Sequence, residues 1–283
     1  MNLGNSIPKP VVSLSFDEAI DNYHTPDEHL NKSTIASYLK DPLLFARPIT
    51  KAKSSSLTDG DLVHLSFEVG EEETKRWQVR PEKYSTASGW KKTKAAEDFL
   101  ADQPKDVKWI SQQQHYLLTG MWKQVHANTA AQSVVDDIEH HEVSIRWERE
   151  DGTKLKCWPD AISRSGRIVD WKTCRYANPL KDWWKAVKDY DYHMQDALYR
   201  EGAKAGGWSD EPLIFVLIST AGHYQVQVVT LPPQVCVVGK RLLERGIEGI
   251  AAHKTFGTEL LPQGYGEVNE LFVPSNVFSL EAN

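Results

Sequence analysis

Two aspartates and a lysine, arranged around a turn, are the feature that most constrains how this 283-residue chain can fold. Nine residues separate Asp160 from Asp170, and Lys172 follows two residues later. If residues 164–166 form a three-residue loop with Gly166 in the left-handed conformation, Asp160 faces Asp170 across an antiparallel pair of strands. The pattern therefore predicts a β-hairpin that carries two opposed carboxylates.

The predicted carboxylate pair favours a bound metal ion. Directly opposed residues have Cβ atoms about 5 Å apart, and two carboxylates at that distance repel each other unless a cation lies between them. Lys172 projects from the same face as Asp170, because side chains alternate along a strand. We expect Asp160, Asp170 and the Trp171 backbone carbonyl to bind Mg²⁺, with Mn²⁺ as a substitute, since both ions favour oxygen ligands.

Phosphodiester hydrolysis is the chemistry that such a site would support. A divalent cation binds phosphate oxygens, lowers the pKa of a water and stabilises charge on the displaced oxygen. Lys172 would then orient the attacking water or help to deprotonate it. The alternative is a surface hairpin in which the acids form ordinary salt bridges with Lys172 or Arg167, and the spacing alone does not exclude it.

Two further segments supply candidate site residues. Gln195 and Tyr199 lie at i and i+4 of a predicted helix and so share one face, from which Gln195 can fix Lys172 or a phosphate oxygen, and Tyr199 can contact the DNA backbone. For Tyr199, the alternative is a side chain packed into the core.

Glu142 can supply a third carboxylate for a second metal ion, or can be an exposed residue at a strand edge.

The periodicity of the whole chain predicts an α/β fold. Period-two alternation over 143–147, 155–158 and 168–171 predicts a three-stranded antiparallel meander. Helices are expected over 34–39, 95–100, 111–132, 191–205 and 235–253, and strands over 213–219 and 224–230. Residues 60–68 favour a helix, and the charged residues 71–94 favour a surface insertion. Together these elements predict a mixed central β-sheet flanked by helices.

Composition narrows the class of protein. Hydrophobic residues make up 40% and charged residues 25% of the chain, as in ordinary globular proteins, and no apolar run approaches the roughly 20 residues of a membrane span. We therefore expect a cytoplasmic protein with no membrane partner. The three cysteines, Cys157, Cys174 and Cys236, are too few and too widely spaced for a disulfide framework, a zinc site or an iron–sulfur cluster.

The net charge of −6 argues against a broad DNA-binding surface, because affinity for phosphates comes from lysine and arginine. Local basic positions must then supply the DNA contacts. We expect them at Arg164, Arg175 and Lys181.

The motifs together resemble the exonuclease VIII (RecE-type) nuclease domains of phages and prophages, a branch of the PD-(D/E)xK superfamily. The matching elements are Ser33-Thr34 to Asp41-Pro42, Gly60-x-x-x-His64, Glu142 to Ile145, Pro159-Asp160, Asp170 to Thr173, Tyr192 to Tyr199, and Gly264 to Pro274. The resemblance implies a restriction-endonuclease-like core in a single nuclease domain over 1–283. This domain would comprise a helical entry segment (1–58), a catalytic core (60–255) and a C-terminal extension (256–283).

The resemblance also implies an activity, partners and a further site residue. Such enzymes resemble 5′→3′ exonucleases that act on double-stranded DNA ends, leave 3′ single-stranded tails and work with a strand-annealing recombinase. A ring-shaped homo-oligomer and a bacterial or phage origin are implied in the same way. His64 would contact the metal site or a phosphate, and Gln195 and Tyr199 would form the helix motif.

Three other functions remain open at this point. A related endonuclease would cut closed circular DNA, whereas an exonuclease needs an end. A non-catalytic DNA-binding protein could keep the fold, although it would have no need to keep both aspartates and the lysine. A metal-free module with salt-bridged acids would lose only stability if Asp170 were removed.

Overall fold

The secondary structure follows the predicted alternation of helices and strands. The computed structural model describes residues 12–16, 18, 20–42, 45, 63, 77–86, 89–104 and 107–256. In chain order the elements are β1 (Val12–Ser15), α1 (Ile20–His24), α2 (Lys32–Lys40), β2 (Trp77–Val79), β3 (Ser85–Thr86), β4 (Gly89–Trp90), α3 (Lys94–Ala101), β5 (Lys108–Ile110), α4 (Gln112–Ala127), α5 (Thr129–Asp136), β6 (Ile138–His141), β7 (Ser144–Glu148), β8 (Lys154–Cys157), β9 (Ala161–Ser163), β10 (Ile168–Cys174), α6 (Trp183–Asp189), α7 (Tyr192–Ala205), β11 (Ile214–Ser219), β12 (Val226–Val229) and α8 (Pro233–Phe256).

A five-stranded mixed sheet lies at the centre, in the order β12-β11-β10-β9-β6. Strands β10 and β11 are parallel, and the other neighbours are antiparallel. A second, antiparallel sheet has the order β1-β7-β8. The mixed central sheet and its flanking helices, both expected from the sequence, are confirmed.

Both faces of the central sheet are covered, which explains the apolar run in β10. Ile168 on one face of β10 joins a core cluster with residues of α7 and α8, while Val169 and Trp171 on the other face join a cluster with residues of α4 and α5. Because side chains alternate, Asp170 and Lys172 share the face of Ile168, beneath α7.

The hairpin between the two aspartates has the expected register. Gly166 takes a left-handed conformation with φ +79°, and the Ser163 N–H donates to the Arg167 carbonyl. Ala161 pairs with Val169, which places Asp160 opposite Asp170 where the pairing ends. This part of the sequence prediction is confirmed.

The predicted three-stranded meander is wrong. Strands β7 and β8 do form a hairpin, but β10 pairs with β9 and β11 in the other sheet. The chain changes sheets at Trp158-Pro159-Asp160, where Pro159 has no N–H to continue a ladder. Alternation along the sequence does not reveal which strand each segment pairs with.

Other boundaries differ from the prediction for local reasons. The single helix expected over 111–132 is two helices, because the Asn128 side chain accepts the Ala131 N–H and starts α5. Asn31 caps α2 by accepting the Thr34 N–H, so the helix begins two residues before the predicted limit. Strand β2, within the proposed surface insertion, pairs with β5. Residues 60–68 lie outside the described residues apart from residue 63.

Among the residues that the structure describes, no helix is both long enough and apolar enough to cross a membrane.

Candidate active site

Asp170 lies in the middle of β10 with its carboxylate held on both sides. It is only 1% exposed. The Gln195 Nε2 atom donates to Asp170 Oδ1 at 2.5 Å, and the Lys172 Nζ atom forms an ion pair with Asp170 Oδ2. The sequence had suggested that Gln195 fixes Lys172 or a phosphate, and it holds Asp170 instead.

Asp160 is held beside Asp170 by the backbone of β10. The Trp171 N–H donates to Asp160 Oδ2 at 2.8 Å. The Trp171 N–H can make this bond because β9 begins only at Ala161. The Asp160 side chain therefore accepts a hydrogen bond in place of the backbone of a longer β9. The two carboxylates are therefore ordered on adjacent strands, as the hairpin register requires.

Lys172 retains its charge at this position. Burial lowers the pKa of its ammonium. The negative charges of Asp170 and Asp160 together raise that pKa by more than burial lowers it, so the net shift is upward. Its Nζ atom lies 5.1 Å from the centre of the Tyr192 ring, and 18% of the side chain is exposed. Lys172 thus contacts the buried Asp170 carboxylate and is itself partly exposed to the solvent.

Glu142 lies next to Asp160, at the point where the chain passes from β6 to β7. Its N–H donates to the Asp160 carbonyl at 3.0 Å, and its backbone is left-handed with φ +48°. A left-handed conformation is costly for a residue with a side chain and is concentrated at functional sites. Within the described residues, however, no three His, Cys, Asp or Glu side chains form a metal-binding group, so Glu142 as a third ligand stays a prediction.

Tyr199 lies one turn beyond Gln195 on α7, partly buried against the core cluster. Burial raises the pKa of its phenol well above the ordinary value, and the charges of Tyr23, Cys157, Asp170 and Asp160 add to the shift. The phenol is therefore a neutral hydrogen-bond donor near the site. Its contact with DNA stays a prediction, and His64 lies outside the described residues.

A cleft of about 550 Å³ opens at the carboxyl end of β10, beside Lys172. Two of the predicted DNA-binding residues, Arg175 and Lys181, line it. Arg164 does not, because it lies in the hairpin loop at the opposite end of β10. The fold thus brings Arg175 and Lys181 to the site and leaves Arg164 apart.

Sequence reasoning missed Lys32 and gave no role to Tyr192, although Tyr192 begins one of the matched motifs. Lys32 of α2 donates through Nζ to the Tyr190 carbonyl at 2.5 Å. Burial lowers its pKa, Asp191 opposes that shift, and Lys172 lowers it further. Nothing local in the sequence marks Lys32, whereas Tyr192 was recognisable because it shares a helix face with Gln195, three residues later.

The donor set fits a magnesium ion. Mg²⁺ is commonly bound by one or two carboxylates, with waters and substrate phosphates as the remaining ligands. Asp160 and Asp170 provide two carboxylates on adjacent strands, and the cleft beside them provides room for a phosphate.

Comparisons with known proteins agree with this fold. The sequence profile of a family described as "PDDEXK-like domain of unknown function (DUF3799)" matches residues 46–263. A crystal structure described as that of a "Putative exonuclease" from Eubacterium rectale is similar, with a TM-score of 0.58 and 14% identity over 93% of this chain and 98% of that chain. At that identity the likeness shows the fold alone. No curated protein matches the sequence. The restriction-endonuclease-like fold expected from the motifs is confirmed.

Proposed function

Because this chain belongs to the family of PDDEXK-like domains designated DUF3799, we propose that it is a magnesium-dependent deoxyribonuclease. The observation that carries the proposal is the convergence of Asp160, Asp170, Lys172 and Gln195 at the edge of a basic cleft. We further propose that it acts as a 5′→3′ exonuclease on double-stranded DNA ends and leaves 3′ single-stranded tails. The motif resemblance supports this finer assignment.

Each site residue has a role in phosphodiester hydrolysis. Asp160 and Asp170 would hold the divalent cation, which supplies charge stabilisation at the phosphate and makes water a better nucleophile. The Trp171 N–H and Gln195 Nε2 fix the two carboxylates in place before substrate binds. The Lys172 ammonium, exposed towards the cleft, would orient the attacking water or a phosphate oxygen.

A purely structural salt bridge accounts less well for the site. Removing a carboxylate from water costs several kcal/mol, and replacing a buried ion pair by apolar residues is often neutral or stabilising. An ordinary hairpin therefore gains little from a buried Asp170. A site that must bind a cation and a phosphate does need this arrangement.

End-labelled DNA provides the direct test of the activity. Linear duplex labelled at its 5′ or 3′ end, and closed circular duplex, are incubated with and without Mg²⁺. The wild type is compared with Asp170→Ala, Lys172→Ala and, as a matched control, Asp102→Ala at an exposed position just after α3. We expect Mg²⁺-dependent release of the 5′ label from linear DNA, lost in the two site variants and retained in Asp102→Ala.

The other outcomes separate the competing functions. Cleavage of the closed circle would favour an endonuclease, and release of the 3′ label first would reverse the proposed polarity. Tight DNA binding without cleavage would favour a non-catalytic binding protein.

The ring-shaped homo-oligomer and a strand-annealing recombinase partner are proposed on the resemblance alone. Sedimentation analysis of the purified protein tests the oligomer.

A further inference from the structure

The cleft beside Lys172 is positively charged although the whole chain is acidic. Among the described residues that line it, four are basic, namely Lys172, Arg175, Lys181 and Lys185, and two are acidic, Asp182 and Asp189. Basic residues in a groove attract and follow a nucleic-acid backbone. The cleft therefore has the charge that a DNA strand approaching Lys172 requires.

A row of aromatic rings leads from the core into the same cleft. The buried Trp183 ring stacks on Tyr192 at a centroid distance of 5.6 Å, and Tyr192 stacks on Tyr190 at 5.7 Å. Tyr190 ends the row and is 60% exposed. Lys172 lies over the ring of Tyr192, the middle member of the row. The exposed side of Tyr190 is thus a short distance from the proposed catalytic lysine.

The exposed aromatic rings and the small size of the cleft favour unpaired over paired DNA. In a duplex, both faces of each internal base are covered by neighbouring bases, whereas an unpaired base can stack on a protein aromatic ring. The cleft volume of about 550 Å³ is that of a pocket for a small ligand. An unpaired nucleotide can enter a space of that size, whereas a double helix can only lie across its mouth. A second ring, Tyr176, is 43% exposed at the cleft with the Lys181 ammonium 4.9 Å from its centre.

We propose that this cleft binds an unpaired DNA strand, with one base stacked on Tyr190 and the neighbouring phosphates beside Lys181 and Lys185. The inference rests on the proposed nuclease function and specifies its substrate. The strand to be cut reaches Lys172 in single-stranded form, so a double-stranded end must open by a few base pairs before cleavage.

Binding in the absence of divalent cations tests this inference separately from cleavage. Fluorescence anisotropy in EDTA measures the affinity for a labelled oligothymidylate, for an abasic oligonucleotide of the same length and for a duplex closed by hairpins at both ends. The variants are Tyr190→Ala, Tyr190→Phe and Tyr116→Ala, the last at a 67% exposed tyrosine of α4 that does not line the cleft. Thermal unfolding confirms that each variant is folded.

The expected result follows from the energy of base stacking. Loss of one aromatic platform costs about 1–3 kcal/mol, so Tyr190→Ala should weaken oligothymidylate binding roughly 5- to 150-fold. Tyr190→Phe keeps the ring and should recover most of the affinity, and Tyr116→Ala should match the wild type. The loss should disappear on the abasic oligonucleotide, which has no base to stack.

Three outcomes would overturn the inference. They are an unchanged affinity in Tyr190→Ala, a loss of equal size on the abasic probe, and a loss of equal size on the closed duplex. If Mg²⁺-dependent cleavage persists in any of these cases, the nuclease function stands and only the single-strand site is wrong. If cleavage is absent while the Tyr190 effect is present, the nuclease proposal fails and the binding site remains.

Discussion

At the scale of single residues, the site is a set of carboxylates whose positions are fixed by short hydrogen bonds. The spacing of Asp160, Gly166 and Asp170 was enough to predict the facing aspartates, because a hairpin register depends on local geometry. The bond from Gln195 to Asp170 was not predictable, since it depends on how α7 packs over β10. Long-range packing of this kind leaves no spacing rule in the sequence.

Gln195 should contribute to activity through Asp170. Replacing Gln195 by Ala removes the donor to Asp170 Oδ1 and so weakens the positioning of that carboxylate. Loss of a residue that orients a metal ligand typically costs about 10- to 100-fold in metal affinity or activity. We expect a loss of that size in the Mg²⁺-dependent cleavage rate, with a higher Mg²⁺ requirement.

A glutamine elsewhere provides the control for this variant. Gln113 is exposed in the first turn of α4, and Gln113→Ala should cleave at the wild-type rate. A Gln195→Ala protein with unchanged rate and unchanged Mg²⁺ dependence would show that Asp170 needs no such support.

At the scale of elements, most helices and strands were predictable, and their partners were less so. Helix α7 and strand β11 lie within about one residue of the predicted limits, because their periodicity is strong. The exchange between sheets at Pro159 was missed, since alternation in β8 and β10 is compatible with one meander or with two sheets. Which strands pair with each other is visible only in the contacts of the folded chain.

Close contact between α7 and α8 depends on Gly239. A Cβ atom at Gly239 would lie 1.8 Å from the His193 carbonyl oxygen, which belongs to the backbone and cannot rotate away. Gly239→Ala should therefore move α8 away from α7 and lower the free energy of unfolding by about 1–3 kcal/mol, as overpacking does. Urea unfolding measures the loss.

Gly249 of α8 provides the matched substitution. The nearest atoms to its added Cβ belong to the Tyr38 side chain, which can shift more readily than backbone, and alanine favours the helix by up to about 1 kcal/mol. Gly249→Ala should be less destabilising than Gly239→Ala. Equal losses would mean that the backbone contact at Gly239 is not what limits the packing.

Glu18, which lies between β1 and α1, forms an ion pair with Arg146 of β7. This ion pair should make the free energy of unfolding depend on pH. Its two oxygens lie 2.6 and 2.8 Å from the guanidinium, and the Arg146 hydrogen bond lowers the pKa of Glu18 below its ordinary value. A lowered folded-state pKa gives stability that is present above the unfolded-state pKa and is lost as the pH falls through the folded-state pKa.

Replacing Glu18 by Gln should therefore matter at neutral pH and not in acid. We expect a loss of about 1.5–3 kcal/mol at pH 7, typical of a hydrogen bond to a charged group, and convergence with the wild type once the pH lies below the folded-state pKa of Glu18. Glu28→Gln, at an exposed pair with Lys154, should change little at either pH. A Glu18→Gln loss that is the same at both pH values would contradict the assignment.

At the scale of the whole molecule, the acidic chain concentrates positive charge at one cleft. The net charge of −6 gave no indication of where DNA would bind, and the sequence suggested Arg164, Arg175 and Lys181 without separating them. Only the fold shows that the first two line the cleft and the third does not. Composition therefore predicted the class of protein, and the arrangement of strands was needed to locate the surface.

The number of phosphates in contact should appear in the salt dependence of binding. Each lysine that neutralises a phosphate adds about 0.7 to the slope of log affinity against log salt for single-stranded DNA. Lys181→Ala should therefore reduce the slope by about 0.7. Lys123→Ala, at an exposed position of α4 away from the cleft, should leave it unchanged. Equal slopes for all three proteins would place the DNA path elsewhere.

The cleavage rate of Asp160→Asn tests the central claim most directly. Asparagine retains an oxygen that can accept the Trp171 N–H, so the fold around β9 and β10 should persist while the charge of the proposed metal ligand is lost. We measure single-turnover cleavage of linear duplex DNA in saturating Mg²⁺, with circular dichroism as the check on folding. A folded protein whose rate falls by about 100-fold or more is the predicted result. A folded Asp160→Asn protein that cuts DNA at the wild-type rate would contradict the assignment of this site.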